Sequence, residues 1–83
     1  MTTAPLRKTR ILTRREKECL LHSAHGQTAS QISRMLNVTY DTVVFHLSNA
    51  CRKLGASNRT EAVAIAITLG LIKSHQKLDA ERG

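Results

Sequence analysis

The chain has 83 residues, with 13 Lys and Arg against 6 Asp and Glu and a formal net charge of +7. This length leaves room for one small domain and excludes a second, ligand-binding domain. The excess of positive charge indicates a polyanionic partner such as nucleic acid. No apolar run approaches the roughly 18 residues of a membrane span, and the start of the chain lacks the apolar region of a signal peptide. We therefore expect a cytoplasmic protein with no membrane partner.

Basic residues are concentrated at the start of the chain, and the composition changes again near its end. We interpret residues 1–10 as a basic, flexible arm, residues 11–72 as the folded domain and residues 73–83 as a polar tail. Six of the thirteen basic residues lie in the first seventeen positions, namely Arg7, Lys8, Arg10, Arg14, Arg15 and Lys17.

The two cysteines do not make a disulfide framework, which is typical of a reduced compartment. Cys19, His22 and His25 share a face of one predicted helix, but zinc sites that hold a fold usually have four ligands in paired clusters. We therefore expect Cys19 to be a small buried apolar residue, and we expect no metal and no cofactor.

The spacing of two polar residues predicts the first helix. Thr13 precedes Glu16 by three residues, so the threonine hydroxyl can accept from the glutamate N–H while the carboxylate accepts from the threonine N–H. The helix is expected to begin at Arg14. Gly26 is expected to end it, because glycine adopts the left-handed conformation at little cost.

A second pair of the same spacing predicts the second helix and a sharp turn after it. Thr28 with Gln31 opens a helix over Ala29–Leu36, and Asn37 is expected to end it in the left-handed conformation. Thr39 can cap a third helix after only one further residue, a valine expected to fill the angle between the two helices. The chain must therefore turn sharply, and the two helices must cross steeply.

The third helix is predicted to continue to Leu54 and to end at Gly55. One side of it carries apolar residues at i, i+4, i+7 and i+11, the spacing of a helix packed on a core. His46 flanks this stripe and is expected to be a hydrogen-bonded core histidine. The stripe consists of Val43, Leu47, Ala50 and Leu54.

The opposite side of the third helix lacks the Lys and Glu of an ordinary solvated surface. Apolar groups beside Ser, Asn and Arg suit the DNA major groove, where thymine methyl groups lie next to donor and acceptor base edges. The alternative is that Val44 and Phe45 pack on the N-terminal arm or on another copy of the domain, since exposed single apolar residues are common. This side consists of Asp41, Val44, Phe45, Ser48, Asn49 and Arg52.

Asn58 with Glu61 is a further cap pair, and it predicts a fourth helix that ends at Leu69 before Gly70. The helix is apolar around much of its girth, which is more than one packed side needs. We expect one face, with Ala62, Ala66 and Leu69, to pack on the domain. The other face would then form a homodimer, with the small Ala64 allowing close approach; the alternative is that every apolar residue belongs to the monomer core. The predicted dimer residues are Val63, Ile67 and Leu71.

These predictions define an all-α, tetrahelical helix-turn-helix domain with the motif at residues 28–47 and the third helix as recognition helix. Residues spread over about Ile11 to Ile72 resemble the DNA-binding domain of LuxR-type transcription regulators, and the Phe45-His46 pair is most like the quorum-sensing branch. The matching segments are Leu12-Thr13-x-x-Glu16, Leu20, Gly26-x-Thr28, Ile32, Leu36, Val38, Thr42-Val43-x-x-His46-Leu47-x-Asn49, Lys53-Leu54-Gly55, Asn58-Arg59-Thr60-x-Ala62-Val63 and Leu69-Gly70-Leu71-Ile72.

The resemblance implies binding of inverted-repeat promoter DNA by a dimer joined through the fourth helix. It implies groove contacts for Val44, Phe45, Ser48 and Asn49, although many relatives carry Lys, Arg or Gln at position 44 and a basic or polar residue at position 48. It also implies structural roles for Glu16, Leu20 and Gly26. Phosphate contacts are expected from Arg14, Arg15, Thr28, Thr39, Tyr40, Thr42, Arg52, Lys53 and Arg59, of which Thr42 and Lys53 come from the resemblance. The alternative for Tyr40 is that it covers Val38.

The sequence therefore predicts a sequence-specific DNA-binding transcription regulator, with double-stranded DNA as its partner and RNA polymerase as a further candidate partner. The alternative is an interaction module that forms heterodimers with full-length relatives and antagonises them. Because relatives carry a signal-binding or receiver domain before this one, the chain is either a single-domain regulator or an excised C-terminal piece. An enzyme is not expected, since the chain lacks a nucleophile with a nearby base and a Gly-rich phosphate loop.

Overall fold

The computed structural model describes residues 11–73, which form four helices. Helix α1 spans Arg14–Ala24, α2 spans Ala29–Leu36, α3 spans Tyr40–Leu54 and α4 spans Arg59–Thr68. Within residues 11–73 there is no strand, and the predicted all-α class is confirmed. The predicted arm and all of the predicted tail except Lys73 lie outside the described residues.

The first two helices begin with the predicted reciprocal caps. In α1, the Thr13 hydroxyl accepts from the Glu16 N–H at 3.1 Å, and the Glu16 carboxylate accepts from the Thr13 N–H at 2.9 Å. In α2, the Thr28 hydroxyl accepts from the Gln31 N–H at 3.1 Å, and the Gln31 side chain accepts from the Thr28 N–H at 2.8 Å. Each pair satisfies two backbone donors that a helix start leaves without intrahelical partners.

Asn37 and Val38 form the predicted sharp turn between α2 and the Thr39 cap of α3. Asn37 adopts the left-handed conformation with φ of 59°, and the Val38 N–H donates to the Ser33 carbonyl at 3.0 Å. Val38 is half-buried against the core. The Thr39 hydroxyl then caps α3 by accepting from the Thr42 N–H at 3.1 Å. The short turn therefore fixes the start of α3 beside α2.

The start of α4 departs in one detail from the predicted reciprocal cap. Asn58 accepts from the Glu61 N–H at 2.8 Å, but the Glu61 carboxylate accepts from the Ser57 N–H at 2.6 Å instead of from the Asn58 N–H. The helix ends at Thr68, one residue earlier than expected, and Leu69 is its C-cap. None of the four helices described here is long and apolar enough to cross a membrane.

A small core lies where the four helices meet. Cys19 is fully buried, as expected. Leu69 was expected in this core, but it is only half-buried, and Ile72, 4% exposed, packs there instead. The cause is a turn at Gly70, with φ of 77°, after which the Leu71 N–H donates to the Ala66 carbonyl and Ile72 folds back. The core comprises Leu12, Cys19, Leu20, Ile32, Val43, Leu47, Ala50, Ala62, Ala66 and Ile72.

Candidate nucleic-acid interface

The outward side of α3 exposes the apolar side chains that the sequence places there. Phe45 is 62% exposed, Tyr40 is 54% exposed and Val44 is 39% exposed, whereas Val43 on the opposite side is fully buried. Ser48 is also exposed. Residues 1–10, the alternative packing partner for Phe45, lie outside the described part of the chain. The outward side of α3 therefore presents a phenyl ring, a phenol, a branched aliphatic group and a hydroxyl together.

An open groove of about 670 Å³ runs along one flank of α3. It brings together two of the predicted groove residues, Val44 and Ser48, and three of the predicted phosphate residues, Thr28, Tyr40 and Arg59. The groove combines hydroxyl groups, one guanidinium and an apolar floor, which suits a ligand with both anionic and apolar parts. Its lining is Thr28, Ala29, Ser30, Tyr40, Val44, Leu47, Ser48, Cys51, Ser57 and Arg59.

Sequence reasoning did not assign five residues of this groove to DNA contacts, of which Ala29 and Leu47 are apolar and three carry a hydroxyl or thiol group. Ser30 lies in the first turn of α2, Ser57 precedes the cap of α4, and Cys51 lies on α3 two turns after Val44. Burial raises the pKa of the Cys51 thiol, and nearby Arg59 opposes this effect. Ser30 and Ser57 could have been found from their positions at helix starts, where backbone N–H groups attract anions.

The threonines at the starts of α2 and α3 have structural roles in addition to their predicted phosphate contacts. Each of Thr28 and Thr39 accepts from a backbone N–H of its own helix. The Thr39 and Thr42 hydroxyls also lie 2.8 Å apart and share a hydrogen bond. A hydroxyl that accepts within the cap can still donate its proton to a phosphate oxygen, so the caps and the predicted contacts are compatible.

Asn49 and Arg52 form a pair on the outward side of α3. The Arg52 Nη2 donates to Asn49 Oδ1 at 2.6 Å, with Arg52 exposed and Asn49 half-buried. The sequence assigned these residues separately, Asn49 to base edges and Arg52 to phosphates. Their spacing of three residues places them on neighbouring positions of the helix surface, a signal that was available in the sequence.

Lys53 has different surroundings from Arg52, its neighbour in the chain. Its ammonium donates to the Glu16 carboxylate at 2.9 Å. Glu16 is 3% exposed, so the bond joins the first turn of α1 to the last turn of α3 at a protected position. Burial alone would raise the pKa of Glu16, but the Thr13 N–H and the Lys53 ammonium outweigh it and lower that pKa below its ordinary value.

Lys53 was predicted to contact phosphate, and this ion pair gives it a structural role as well. Glu16 was expected to be structural, and its cap and its ion pair agree with that role. The two residues are 37 positions apart, so no local spacing in the sequence connects them. Only the packing of α1 against α3 brings them together.

Arg14 and Arg15 share one acidic neighbour. The Arg14 Nε lies 3.4 Å from Glu18, and the Arg15 Nη1 donates to the same carboxylate at 2.9 Å. Their side chains remain 87% and 45% exposed. Exposed pairs of this kind contribute little to stability, so both guanidiniums remain available to phosphate oxygens.

His46 differs from the buried, hydrogen-bonded residue that the sequence suggested. It is half-buried, and its ring packs edge-on against Phe45 with 5.7 Å between ring centroids. Its position between the buried stripe and the outward side of α3 explains the difference, since the ring reaches the exposed phenyl group. The contact helps to orient Phe45.

The Cys19, His22 and His25 side chains, which could have suggested a metal site, have other surroundings. Burial raises the pKa of the Cys19 thiol to about 11, so the thiol stays protonated and is a poor ligand. The His22 Nδ1–H donates to the Gln27 side chain at 2.6 Å, and the His25 Nδ1–H donates to the Leu21 carbonyl at 2.9 Å. Within residues 11–73, no group of three ligating side chains could hold a metal ion.

The three predicted dimer residues lie on different parts of the α4 region. Ile67 is 36% exposed, whereas Val63 and Leu71 are half-buried and pack partly on the core. Ala64, predicted to allow close approach, is exposed, and Ala62 and Ala66 are fully buried on the other side. We use the name α4 face for Val63, Ala64 and Ile67 of α4 together with Leu71 after the Gly70 turn, all of which are apolar and either exposed or half-buried.

Known proteins share both this sequence pattern and this architecture. Residues 10–66 match the model of the family described as bacterial regulatory proteins, luxR family. The solved structure titled transcription factor GerE is similar to the chain with a TM-score of 0.74 and 33% identity. The match covers 77% of this chain and 96% of that one.

Two curated regulators are similar to the chain over most of its length. The HTH-type quorum sensing-dependent transcriptional regulator RpaR of Rhodopseudomonas palustris is 56% identical over 69 residues, which is 83% of this chain and 28% of RpaR. The transcriptional activator protein VanR of Vibrio anguillarum is 46% identical over 65 residues, which is 78% of this chain and 27% of VanR. The chain thus spans little more than a quarter of the length of these regulators.

Proposed function

The chain belongs to the luxR family of bacterial regulatory proteins, and on this basis we propose that it is a transcription regulator that binds specific sequences of double-stranded DNA. The outward side of α3 is the observation that carries the proposal. An exposed phenyl ring and valine lie there beside hydroxyl, amide and guanidinium groups. This mixture matches the major groove, in which thymine methyl groups alternate with polar base edges. The similar proteins are transcription regulators and not enzymes.

Two kinds of contact would bind the DNA. The first holds the phosphates and is independent of sequence; it would come from Arg14, Arg15, Thr28, Thr39, Tyr40, Thr42, Arg52, Lys53 and Arg59. The second reads base edges and would come from Val44, Phe45, Ser48 and Asn49. The groove supports this division, because it places Arg59 and the start of α2 beside Val44 and Ser48. A DNA strand passing along this flank would meet both kinds of contact.

Selection from a random DNA pool, followed by competition binding at fixed salt, tests the proposal. We expect the chain to recover a defined motif. The Phe45→Ala and Asn49→Ala variants should each reduce discrimination between that motif and random duplex by roughly 1–3 kcal/mol. Arg59→Ala should weaken binding to both duplexes about equally, since a phosphate contact carries no sequence information. Equal losses on both duplexes for the Phe45 and Asn49 variants would refute their assignment.

We further propose that two copies bind an inverted repeat and meet through the α4 face. The apolar character of this face supports a symmetric contact, in which the same residues meet on both copies. The Ile67→Glu variant should lose cooperative binding to two half-sites and keep its affinity for a single half-site. Unchanged cooperativity would place the contact between copies elsewhere.

A second candidate function uses the same α4 face. A chain that pairs with longer relatives through this face, and binds DNA poorly by itself, would act as an antagonist. Titration of the purified chain with its selected duplex separates the two functions, because only the regulator binds DNA tightly on its own.

RNA polymerase is the further partner that we propose for the regulator, and the cytoplasm is its proposed location.

A further inference from the structure

Asn49 and Arg52 form a unit that presents hydrogen-bond donors to the DNA groove. The Arg52 Nη2 lies 2.6 Å from Asn49 Oδ1, and arginine carries donors only, so the amide oxygen must be the atom that faces the guanidinium. The amide NH₂ group is thereby left free to donate outward. The remaining guanidinium N–H groups add further donors beside it.

Within residues 11–73, Arg52 makes no salt bridge that would compete with its bond to Asn49. Three of the four carboxylates in this part of the chain have other partners. Glu16 accepts from Lys53, Glu18 accepts from Arg15, and Glu61 accepts from the Ser57 N–H. The fourth belongs to Asp41, which lies three turns away near the other end of α3. Asn49 is half-buried while Arg52 is exposed, and the guanidinium, which has donors only, fixes which end of the amide faces it.

The pair lies next to the residues proposed to read base edges. Phe45 precedes Asn49 by four positions, and Ser48 precedes Arg52 by four, so each is a neighbour on the helix surface. The donors of the pair therefore face the same side as the exposed phenyl ring and serine hydroxyl. A DNA base pair that contacts Phe45 and Ser48 therefore lies in the same part of the major groove as Asn49 and Arg52.

The chemistry of the base edges decides what such a unit selects. An asparagine that reads adenine needs its oxygen to accept from N6 and its NH₂ group to donate to N7. Here one lone pair of the oxygen accepts from the Arg52 guanidinium, and an adenine amino group that approached the other lone pair would face the guanidinium N–H donors beside it, donor against donor. Guanine offers two acceptors, O6 and N7, and no donor on its groove edge. The unit is therefore complementary to guanine.

We propose that Arg52 is a positioning residue for Asn49 and that the pair selects guanine over adenine at one base pair of each half-site. This inference rests on the proposed DNA binding. It assigns Arg52 a role in specificity beyond the phosphate contact, and it makes the recognition by Asn49 dependent on its neighbour.

Selection from a random pool with the full chain and its variants tests the proposal. The unaltered chain should prefer guanine over adenine about tenfold at one position of each half-site. Arg52→Met frees the amide oxygen and should bring adenine to equal or greater frequency at that position alone. Arg52→Lys keeps a cationic donor and should retain the preference for guanine. Arg59→Ala, the matched loss of a cation, should lower affinity without changing any base frequency.

The outcomes are separable. If Arg52→Met recovers the same motif with the same base frequencies, Arg52 is a phosphate contact only and the inference is wrong. If the unaltered chain recovers no motif, the proposed function fails and the inference fails with it. The melting temperature of Arg52→Met should match that of the unaltered chain, which separates lost positioning from lost fold. Asn49→Ala should lose the preference as well, and adding Arg52→Met to it should change base frequencies no further.

Discussion

Arg52 and Lys53 are adjacent basic residues on α3, but they lie in two regions with different physical character. Lys53 donates to a carboxylate that is 3% exposed, and the bond joins α3 to α1. Arg52 donates to an amide at the exposed side of the helix and joins no second helix. The inward region holds the fold, while the outward region is available to a partner. Charge alone therefore does not distinguish the two residues, because their surroundings decide which cation also holds the fold.

The largest expected difference between the two regions concerns apolar side chains. Leu20 is fully buried, and Leu20→Ala should lower the free energy of unfolding by about 2–5 kcal/mol, since it leaves a cavity in the core. Phe45→Ala, on the outward side, should change that free energy by less than about 0.5 kcal/mol. Urea unfolding without DNA measures both. Similar losses for the two variants would show that Phe45 packs on the protein and is not free for a partner.

The next difference concerns the two adjacent cations. Lys53→Met leaves the buried Glu16 carboxylate without its cationic partner, and it should lower the free energy of unfolding by about 2 kcal/mol. Arg52→Met, the matched control, should lower it by less than about 0.5 kcal/mol, because Arg52 is exposed and its partner is a neutral amide that needs no counter-charge. The same urea experiment compares them. Equal effects of the two variants would contradict the distinction between the regions.

A smaller effect is expected at the start of α2, where a structural residue also faces the groove. Thr28→Ala removes the hydroxyl that accepts from the Gln31 N–H, and it should lower the free energy of unfolding by about 1 kcal/mol. Thr28→Ser keeps the hydroxyl and should restore most of this loss. Thermal unfolding of the two variants checks the prediction. A Thr28→Ala variant as stable as the unaltered chain would mean that the cap contributes nothing.

The smallest expected effect is the pH dependence of the decrease in unfolding free energy that Lys53→Met causes. The pKa of Glu16 is lowered in the folded chain, so the stability it contributes is present above its unfolded pKa and is lost as pH falls through the folded pKa. The loss caused by Lys53→Met should therefore shrink by up to about 1 kcal/mol between roughly pH 5 and pH 3. Urea unfolding over this range measures the change. A loss that stays constant would exclude a contribution from the ionised Glu16 carboxylate.

Local signals in the sequence predicted most of the fold. The Thr13–Glu16 and Thr28–Gln31 spacings fixed two helix starts, and Asn37 marked the end of α2, because each acts on backbone groups within a few residues. The end of α4 was less predictable. The turn at Gly70 brings Ile72 into the core in place of Leu69, and apolar pattern alone does not distinguish two candidates on either side of a turn.

The candidate interface was predictable in its residue types and less so in its pairings. Exposure of Phe45 follows from helical periodicity, which places it opposite the buried stripe. The Glu16–Lys53 bond depends on packing between distant segments, and the Asn49–Arg52 bond depends on a choice among side-chain conformations. His46 illustrates the same limit, because its aromatic contact with Phe45 replaced an expected hydrogen bond. Periodicity places side chains on a surface but does not select their partners.

Chemical-shift mapping with the selected duplex tests the central claim most directly, namely that the outward side of α3 and its flanking groove receive the DNA. We predict that the largest perturbations of backbone amides fall on α3 near Val44, Phe45 and Ser48 and on the start of α2 at Thr28. Amides around the buried Leu20 should move little. Perturbations that avoid α3, or that are confined to the α4 face, would contradict the account.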